Sequence, residues 1–198
     1  MIGYYNYTVV LTYISLIVAV FGIMLGIDGN MKLALILLMI SGVCDLFDGK
    51  IASTKKDRTM NERLFGVQID SLCDLICFGA LPAVLVGGKI IGSLFVLCGL
   101  IRLANFNVDA TNKLMTNDKS KAFYRGLPIT ASALVIPGAY LVSSLCGISF
   151  SVLGQIALAV IGVLYLTPFK LKKFGWGGML TLVAIGSVIF AGLLIFVK

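Results

Sequence analysis

Apolar stretches dominate this sequence, and each is close to the ~20 residues that a helix needs to cross a bilayer. Hydrophobic residues make up 59% of the 198 positions, and the mean hydropathy is +1.04. Soluble domains contain only about 45–50% apolar residues, so the composition is typical of an integral membrane protein. We therefore predict an all-α, polytopic transmembrane helical bundle with about six to seven spans, formed as a single domain over residues 1–198.

The predicted spans are separated by short polar segments, with one exception. Residues 107–125 form a long polar segment, which we predict to be a functional loop rather than a domain linker. The fourth span is predicted to be the shortest, and the last could lie outside a six-helix core. The predicted spans cover residues 8–26, 31–53, 62–86, 89–107, 126–145, 149–167 and 176–197.

Basic residues are concentrated in the loops on one side of the predicted bundle. Because basic loops stay in the cytoplasm, this bias places the amino terminus inside. Eleven Lys and Arg residues then lie in cytoplasmic loops and three on the opposite side. The net charge of +7 is thus concentrated on one side, where it can attract anionic headgroups or a phosphorylated soluble substrate. Alternatively, these basic residues could only fix the orientation of the spans in the membrane. We predict a multi-pass protein of the cell membrane with its active site facing the cytoplasm.

Four aspartates lie inside two of these apolar spans. Asp45 and Asp48 are near the cytoplasmic end of the second span, and Asp70 and Asp74 are near that of the third. A carboxylate at membrane depth is costly unless something neutralises it. Residues three and four apart share a helix face, so both pairs can point at one place. An all-oxygen site without His or thiolate suits Mg²⁺ or Mn²⁺, and we expect two ions.

An alternative is that the aspartates pair with cationic side chains, as they would in a cation transporter. Apart from cations within the first two residues of a span, only Lys50 and Arg102 are available inside the predicted spans, and two cations cannot neutralise four carboxylates. A transporter would also be expected to spread its acidic residues over several helices. Divalent ions beside basic loops instead form a site for a diphosphate. A carboxylate that is not committed to metal can accept a proton from a hydroxyl.

Small residues adjoin both aspartate pairs. Gly49 and Ala52 follow the first pair, and Gly66 precedes the second by one helical turn. A missing side chain lets a bulky ligand approach the helix backbone closely. Thr12 and Ser15 on the first span could meet a nucleotide base, or could bond their own backbone instead.

These segments together resemble a known signature. Seven of the eight fixed positions of D-x-x-D-G-x-x-A-R followed by G-x-x-x-D-x-x-x-D are present, as Asp45, Asp48, Gly49, Ala52, Gly66, Asp70 and Asp74. This is the signature of the CDP-alcohol phosphotransferase family. Two further stretches, within residues 70–82 and 102–128, are similar to the phosphatidylserine synthase branch of that family.

The resemblance implies an activity and a set of partners. A phosphatidyl or archaetidyl group would pass from CDP-diacylglycerol or CDP-archaeol to the hydroxyl of L-serine in a single displacement, releasing CMP. Other family members use other alcohols, such as glycerol phosphate or inositol, and this alternative stays open. Membrane lipids and a second copy in a homodimer are expected partners, whereas no nucleic acid is expected.

The resemblance also implies roles for individual residues. Asp45, Asp48 and Asp70 would bind metal, and Asp74 would bind metal and serve as the catalytic base. Gly49, Ala52 and Gly66 would contact the CDP-lipid, and we predict that Ser53, Lys55 and Lys56 also lie in the CDP-lipid site.

Serine also needs a partner for its carboxylate. Arg102 and Arg125 are candidates for this carboxylate or for a phosphate, because a guanidinium binds either in bidentate fashion. Asn105 could orient the substrate. Arg125 could instead anchor the membrane interface, and Arg102 could belong to an internal ion pair.

One position departs from the signature. Ser53 stands where the family pattern has Arg, so a positive charge expected near the ligand's phosphates is missing. The spacer from Ser53 to Gly66 is also longer than usual. We predict that one basic residue of this spacer supplies the charge, the alternative being an enzyme of reduced activity. The basic residues in question are Lys55, Lys56 and Arg58.

Overall fold

A computed structural model describes residues 3–116, 123–172 and 176–196, and most of them are helical. The helices are α1 (Val10–Ile27), α2 (Met31–Thr54), α3 (Met60–Asp74), a π-helical segment (Leu75–Ala80), α4 (Leu81–Val86), α5 (Lys89–Thr116), α6 (Ser132–Cys146), α7 (Phe150–Leu166) and α8 (Trp176–Phe196). Short 3₁₀ turns at Tyr7–Val9 and Ile129–Ala131 lead into α1 and α6. The strands β1 (Phe123–Arg125) and β2 (Lys170–Lys172) pair antiparallel, with Tyr124 opposite Leu171. The predicted all-α class is confirmed.

Several of these helices are long and apolar enough to cross a membrane. Within the described residues, the four that meet this test by length and composition are Tyr7–Ile27, Met60–Val86, Lys89–Thr116 and Ile129–Cys146. Shorter apolar helices follow at Phe150–Leu166 and Leu180–Phe196. Helix α2 has 24 residues, or ~36 Å of length, and it differs from these helices in the distribution of its charged residues, which are Lys32, Asp45, Asp48 and Lys50. The prediction of a multi-span membrane protein is confirmed.

Three predictions about the middle of the chain are wrong. Helix α5 runs on to Thr116, so the fourth span is the longest helix among the described residues and residues 107–116 are not a loop. No Gly or Pro interrupts 105–116, so polar side chains continue the helix without apolar periodicity. The next helical turn begins at Ile129 rather than at 126, because Gly126 has a left-handed φ of +78° and Pro128 follows it. Residues 117–122 lie outside the described part of the chain.

The apolar core lies where α2, the π-helical segment, α5, α6 and α7 meet. The largest fully buried side chains in it are Leu35, Leu38, Phe78, Phe95, Ile136 and Leu158. Helix α1 packs closely beside this core because of its small residues. A Cβ added at Gly26 would lie only 2.4 Å from a methyl carbon of Leu85. The first half of the bundle is therefore held by close helix packing.

A capping box fixes the start of α3. The side chain of Thr59 accepts from the Glu62 backbone N–H (3.2 Å), and the Glu62 carboxylate accepts from the Thr59 backbone N–H (2.8 Å). Glu62 also accepts from the Asn6 side-chain amide (3.0 Å) and forms an ion pair with Lys55 (3.1 Å). One carboxylate thus ties together the segment before α1, the loop after α2 and the first turn of α3.

The π-helical segment follows Asp74 directly. Such segments are rare and often occur at functional sites. The Ser132 hydroxyl donates to the Phe78 carbonyl oxygen (2.8 Å), so α6 satisfies a backbone group of this segment. Burial of Cys77, Phe78 and Gly79 anchors the segment in the core. The aspartate-bearing part of α3 is thus attached to a firmly packed turn.

Candidate active site

The four aspartates line one cavity at the carboxyl-terminal ends of α2 and α3, which we call the central cavity. Its volume is about 510 Å³. Carboxylate oxygens of Asp45, Asp70 and Asp74 lie within 4.8 Å of one another, and all three residues are half-buried. Asp48 is more deeply buried, and its carboxylate accepts a hydrogen bond from the Thr12 hydroxyl (3.1 Å). The predicted convergence of the two pairs is therefore present in the structure.

This carboxylate group fits a divalent cation. Three carboxylates with their oxygens so close repel one another strongly in a site shielded from water. Oxygen ligands in this number and separation suit a hard cation, which removes the repulsion. Because three of the residues offer oxygens to a common point, Asp45, Asp70 and Asp74 are the residues best placed to share an ion. Asp48 lines the same cavity and adds a fourth carboxylate.

A second cavity of about 250 Å³ opens beside the loop that joins α2 to α3, and we call it the loop-side cavity. It shares Asp48, Gly49 and Asp70 with the central cavity. The other small residues of the signature, Ala52 and Gly66, also line it. Among the described residues, a Cβ added at Gly49 would meet no atom within 4 Å, and one at Gly66 would meet only an Arg58 nitrogen at 3.8 Å. Gly49 thus leaves open space that a ligand can fill, whereas the Arg58 side chain borders Gly66.

The basic residues of the loop after α2 and of the first turns of α3 occupy different positions. Arg58 and Arg63 line the loop-side cavity. Lys55 is engaged by Glu62, and Lys56 is exposed. Within the described residues, the Arg58 Nε is buried and has no hydrogen-bond partner. The predicted roles of Lys55 and Lys56 at the CDP-lipid stay predictions, while the cavity itself presents two arginines.

Two cationic side chains and a serine share the central cavity with the aspartates. The Arg102 guanidinium carbon lies 5.9 Å from the centre of the Tyr165 ring, a cation–π distance that helps hold it in place. Lys50 lies 5.8 Å from the centre of the Phe47 ring. Ser53 lines the cavity too, but its hydroxyl donates to the Lys50 carbonyl oxygen (2.6 Å). Arg102 is thus placed where the sequence predicts a substrate partner.

The other predicted substrate residues lie elsewhere. Asn105 is exposed on α5 and is not among the described residues that line the central cavity, so its role stays a prediction. Arg125 belongs to β1 by its backbone, and its side chain lies outside what the structure describes. Asn107 is the asparagine of α5 that contacts α3: it accepts from the Ser71 hydroxyl (2.6 Å) and donates to the Gln68 side-chain oxygen (3.1 Å).

An apolar groove continues from the central cavity between α2, α6 and α8. Its volume is about 310 Å³, and it shares Asp45, Leu46, Thr130 and Leu182 with that cavity. Most of its other lining residues are aliphatic, including Met39, Val43, Leu134 and Val183. A hydrocarbon chain could therefore lie in the groove while a polar group at its end reached the aspartates.

The family assignment follows from a comparison with family models. The model of the CDP-alcohol phosphatidyltransferase family matches residues 5–167. The chain belongs to the CDP-alcohol phosphatidyltransferase family. Members of this family generally depend on divalent metal ions, in agreement with the aspartate cluster of the central cavity.

Named relatives are similar over part of their length. Archaetidylserine synthase of Methanothermobacter thermautotrophicus is 36% identical over 128 residues, which are 60% of this chain and 51% of that protein. CDP-diacylglycerol–serine O-phosphatidyltransferase of Saccharomyces cerevisiae is 40% identical over 116 residues, 52% of this chain and 40% of that protein. The protein of the same name from Methanocaldococcus jannaschii is 32% identical over 146 residues, 70% of this chain and 63% of that protein. The chain thus spans about half the length of the curated relatives it matches.

Several residues in or near this candidate site have no strong signal in the sequence. Arg63 and Thr8 line the loop-side cavity, and Leu114 reaches it from the end of α5 that hydropathy does not reveal. The link from Asn107 to Ser71 joins residues 36 apart in sequence. Their polar character inside or beside apolar spans is the one signal that could have marked them.

Proposed function

We propose that this protein transfers the phosphatidyl group of CDP-diacylglycerol, or the archaetidyl group of CDP-archaeol, to the hydroxyl of L-serine, releasing CMP. The observation that carries the proposal is the central cavity, where four carboxylates from two family motifs face one space beside an apolar groove. The names of the relatives support serine as the acceptor.

The chain's own residues divide the work of binding. In this proposal the lipid chains lie in the apolar groove, and the cytidine nucleotide enters the loop-side cavity over Gly49 and Gly66. The diphosphate then lies beside Asp48 and Asp70, which line both polar cavities. Asp45, Asp70 and Asp74, with Asp48, would hold two divalent ions, Mg²⁺ or Mn²⁺. When bound, these ions would neutralise the diphosphate and make CMP a better leaving group.

The reaction proposed is one displacement at the phosphorus nearest the lipid. The serine oxygen forms a bond to this phosphorus while the bond from phosphorus to the CMP oxygen breaks. Asp74 accepts the hydroxyl proton of serine, as a carboxylate within reach of the nucleophile can. The Arg102 guanidinium, in the same cavity, binds the serine carboxylate and so orients the hydroxyl.

The membrane orientation belongs to this proposal. The basic loops predicted to be cytoplasmic include the loop that contributes Arg58 and Arg63 to the loop-side cavity. A soluble acceptor and the released CMP would therefore enter and leave on the cytoplasmic side. Homodimer formation is also part of the proposal, since the resemblance implies it.

The test is CMP release by the purified protein. CDP-diacylglycerol or CDP-archaeol is supplied with Mg²⁺ or Mn²⁺ and with serine, glycerol 3-phosphate or inositol. We expect release that requires both metal and serine, is lost in Asp74→Asn and has an increased apparent KM for serine in Arg102→Ala. Release with a different alcohol would reassign the acceptor, and no release with any alcohol would contradict the proposal.

A further inference from the structure

The positive charge that the signature expects at Ser53 has to come from elsewhere if a diphosphate binds between the two polar cavities. Ser53 cannot supply it, because its hydroxyl donates to the Lys50 carbonyl oxygen and carries no charge. Charge must therefore be brought by another side chain that reaches the same space.

Arg58 reaches this space. One of its terminal nitrogens lies 3.8 Å from where a Cβ at Gly66 would be, so the guanidinium covers the glycine that stands one helical turn before Asp70. It lines the loop-side cavity together with Asp48 and Asp70. A ligand that extends from these carboxylates toward Gly66 therefore meets the guanidinium.

An unsatisfied hydrogen-bond donor of Arg58 also points to a missing partner. Its Nε is buried and has no hydrogen-bond partner among the described residues. A buried donor without an acceptor costs free energy, so such groups are normally satisfied by protein, water or ligand. A phosphate offers the acceptor geometry that a guanidinium binds best.

The loop that carries Arg58 is anchored on both sides. Lys55, three residues before Arg58, forms an ion pair with Glu62. Thr59, one residue after Arg58, caps the start of α3. These contacts hold the backbone of the loop, so Arg58 is presented to the cavity without the entropy cost of ordering a free segment. Lys55 is committed to this anchoring.

We propose that the Arg58 guanidinium binds the diphosphate of the CDP-linked lipid and supplies the positive charge that is missing at Ser53. This inference rests on the proposed function for the identity of the ligand. It assigns the role to one of the three candidate residues, Lys55, Lys56 and Arg58, and makes the longer spacer a compensation for the Ser53 substitution.

The experiment measures binding and turnover separately. Binding of CDP to the purified protein with Mg²⁺ is followed by calorimetry, and apparent KM values for CDP-diacylglycerol and serine are taken from CMP release. Arg58→Gln is compared with Lys56→Gln and with Lys89→Gln, which removes an exposed charge at the start of α5. Thermal unfolding of each variant reports whether it folds.

Arg58→Gln is expected to weaken CDP binding and raise the apparent KM for the CDP-lipid roughly 10- to 100-fold, with little change for serine. Arg58→Lys is expected to recover part of this loss. Adding Ser53→Arg to Arg58→Gln should restore CDP binding, a result that a merely structural role of Arg58 would not produce.

Two results would overturn the inference: equal CDP binding in Arg58→Gln and Lys89→Gln, or a larger loss in Lys56→Gln than in Arg58→Gln. The outcomes separate it from the proposed function. If the protein showed no serine-dependent CMP release, the proposed function would be wrong. The comparison of CDP binding among the variants would still decide the role of Arg58.

Discussion

Each half of helix α2 contains a glycine, and the two glycines have opposite roles. In the first half, a Cβ added at Gly42 would lie 2.9 Å from the Cβ of Ala133, so this glycine lets α6 approach closely. In the second half, a Cβ added at Gly49 would meet no atom of the described residues within 4 Å. The two glycines are seven residues apart and so share a helix face. Gly42 is needed for packing, whereas Gly49 leaves space that the described part of the chain does not fill.

The two halves of α2 also differ in the polarity of their residues. The first half of α2 contributes Leu35 and Leu38 to the apolar core. The second half carries Asp45 and Asp48, which are costly in an apolar span unless a cation neutralises them. The difference shows that the carboxyl-terminal end of α2 is organised around a ligand, while the rest of the helix is organised around its neighbours.

The largest expected effect comes from replacing the two glycines by the same residue. Gly49→Val should leave thermal stability near that of the wild type and reduce CMP release on the order of 10²-fold, because it fills the path of the nucleotide. Gly42→Val should instead lower the free energy of unfolding by about 1–3 kcal/mol through overpacking against α6. Thermal unfolding and CMP release measured on both variants check the pair. If Gly49→Val lowered the thermal stability and left CMP release unchanged, the proposed difference between the two glycines would be wrong.

A smaller effect is expected at the link between α3 and α5. Asn107→Ala removes hydrogen bonds to Ser71 and Gln68, each worth ~0.5–1.5 kcal/mol. Because α3 carries Asp70 and α5 carries Arg102, we expect turnover to fall roughly 10-fold.

Two other α5 variants sharpen this test. Asn112→Ala, at an exposed position of the same helix, is the matched control. Asn105→Ala should raise the apparent KM for serine alone if Asn105 orients the substrate. Equal turnover in Asn107→Ala and Asn112→Ala would show that the link does not position the site.

The smallest expected effect concerns the capping box. Thr59→Ala should lower the free energy of unfolding by about 1 kcal/mol, because the first turn of α3 loses its side-chain acceptor. For a chain of this size, that change corresponds to roughly 2–4 °C in Tm. Thr59→Ser keeps the hydroxyl and should retain most of the stability. An unchanged Tm in Thr59→Ala would show that the start of α3 is held by other contacts.

Much of the helical arrangement could be predicted because hydropathy reports directly on membrane-spanning segments. The second predicted span, 31–53, matches α2 (Met31–Thr54) to within one residue. The end of α5 could not be predicted in this way, since its polar residues lack an apolar period. The π-helical segment also has no signal in the sequence, because it lies within a continuous apolar run. Its Phe78 carbonyl oxygen accepts a hydrogen bond from Ser132 of α6, a contact that depends on tertiary packing.

The site was predictable where chemistry and helix spacing coincide. Asp45 and Asp48 are three residues apart and Asp70 and Asp74 four apart, so each pair had to share a face. Contacts between distant segments, such as Thr12 with Asp48, depend on tertiary packing and carry no local signal. The single domain, the homodimer and the side-chain role of Arg125 stay predictions.

The central claim is that the aspartates at the ends of α2 and α3 bind divalent ions that serve a diphosphate. Mn²⁺ binding to the purified protein, measured by electron paramagnetic resonance with and without CDP, tests it most directly. We predict that Mn²⁺ binds the wild type, that CDP tightens this binding, and that Asp70→Asn weakens it at least ~10-fold. Asp28→Asn, at an exposed aspartate after α1, should bind Mn²⁺ as the wild type does. Equal Mn²⁺ affinity in Asp70→Asn and wild type, unaffected by CDP, would contradict the claim.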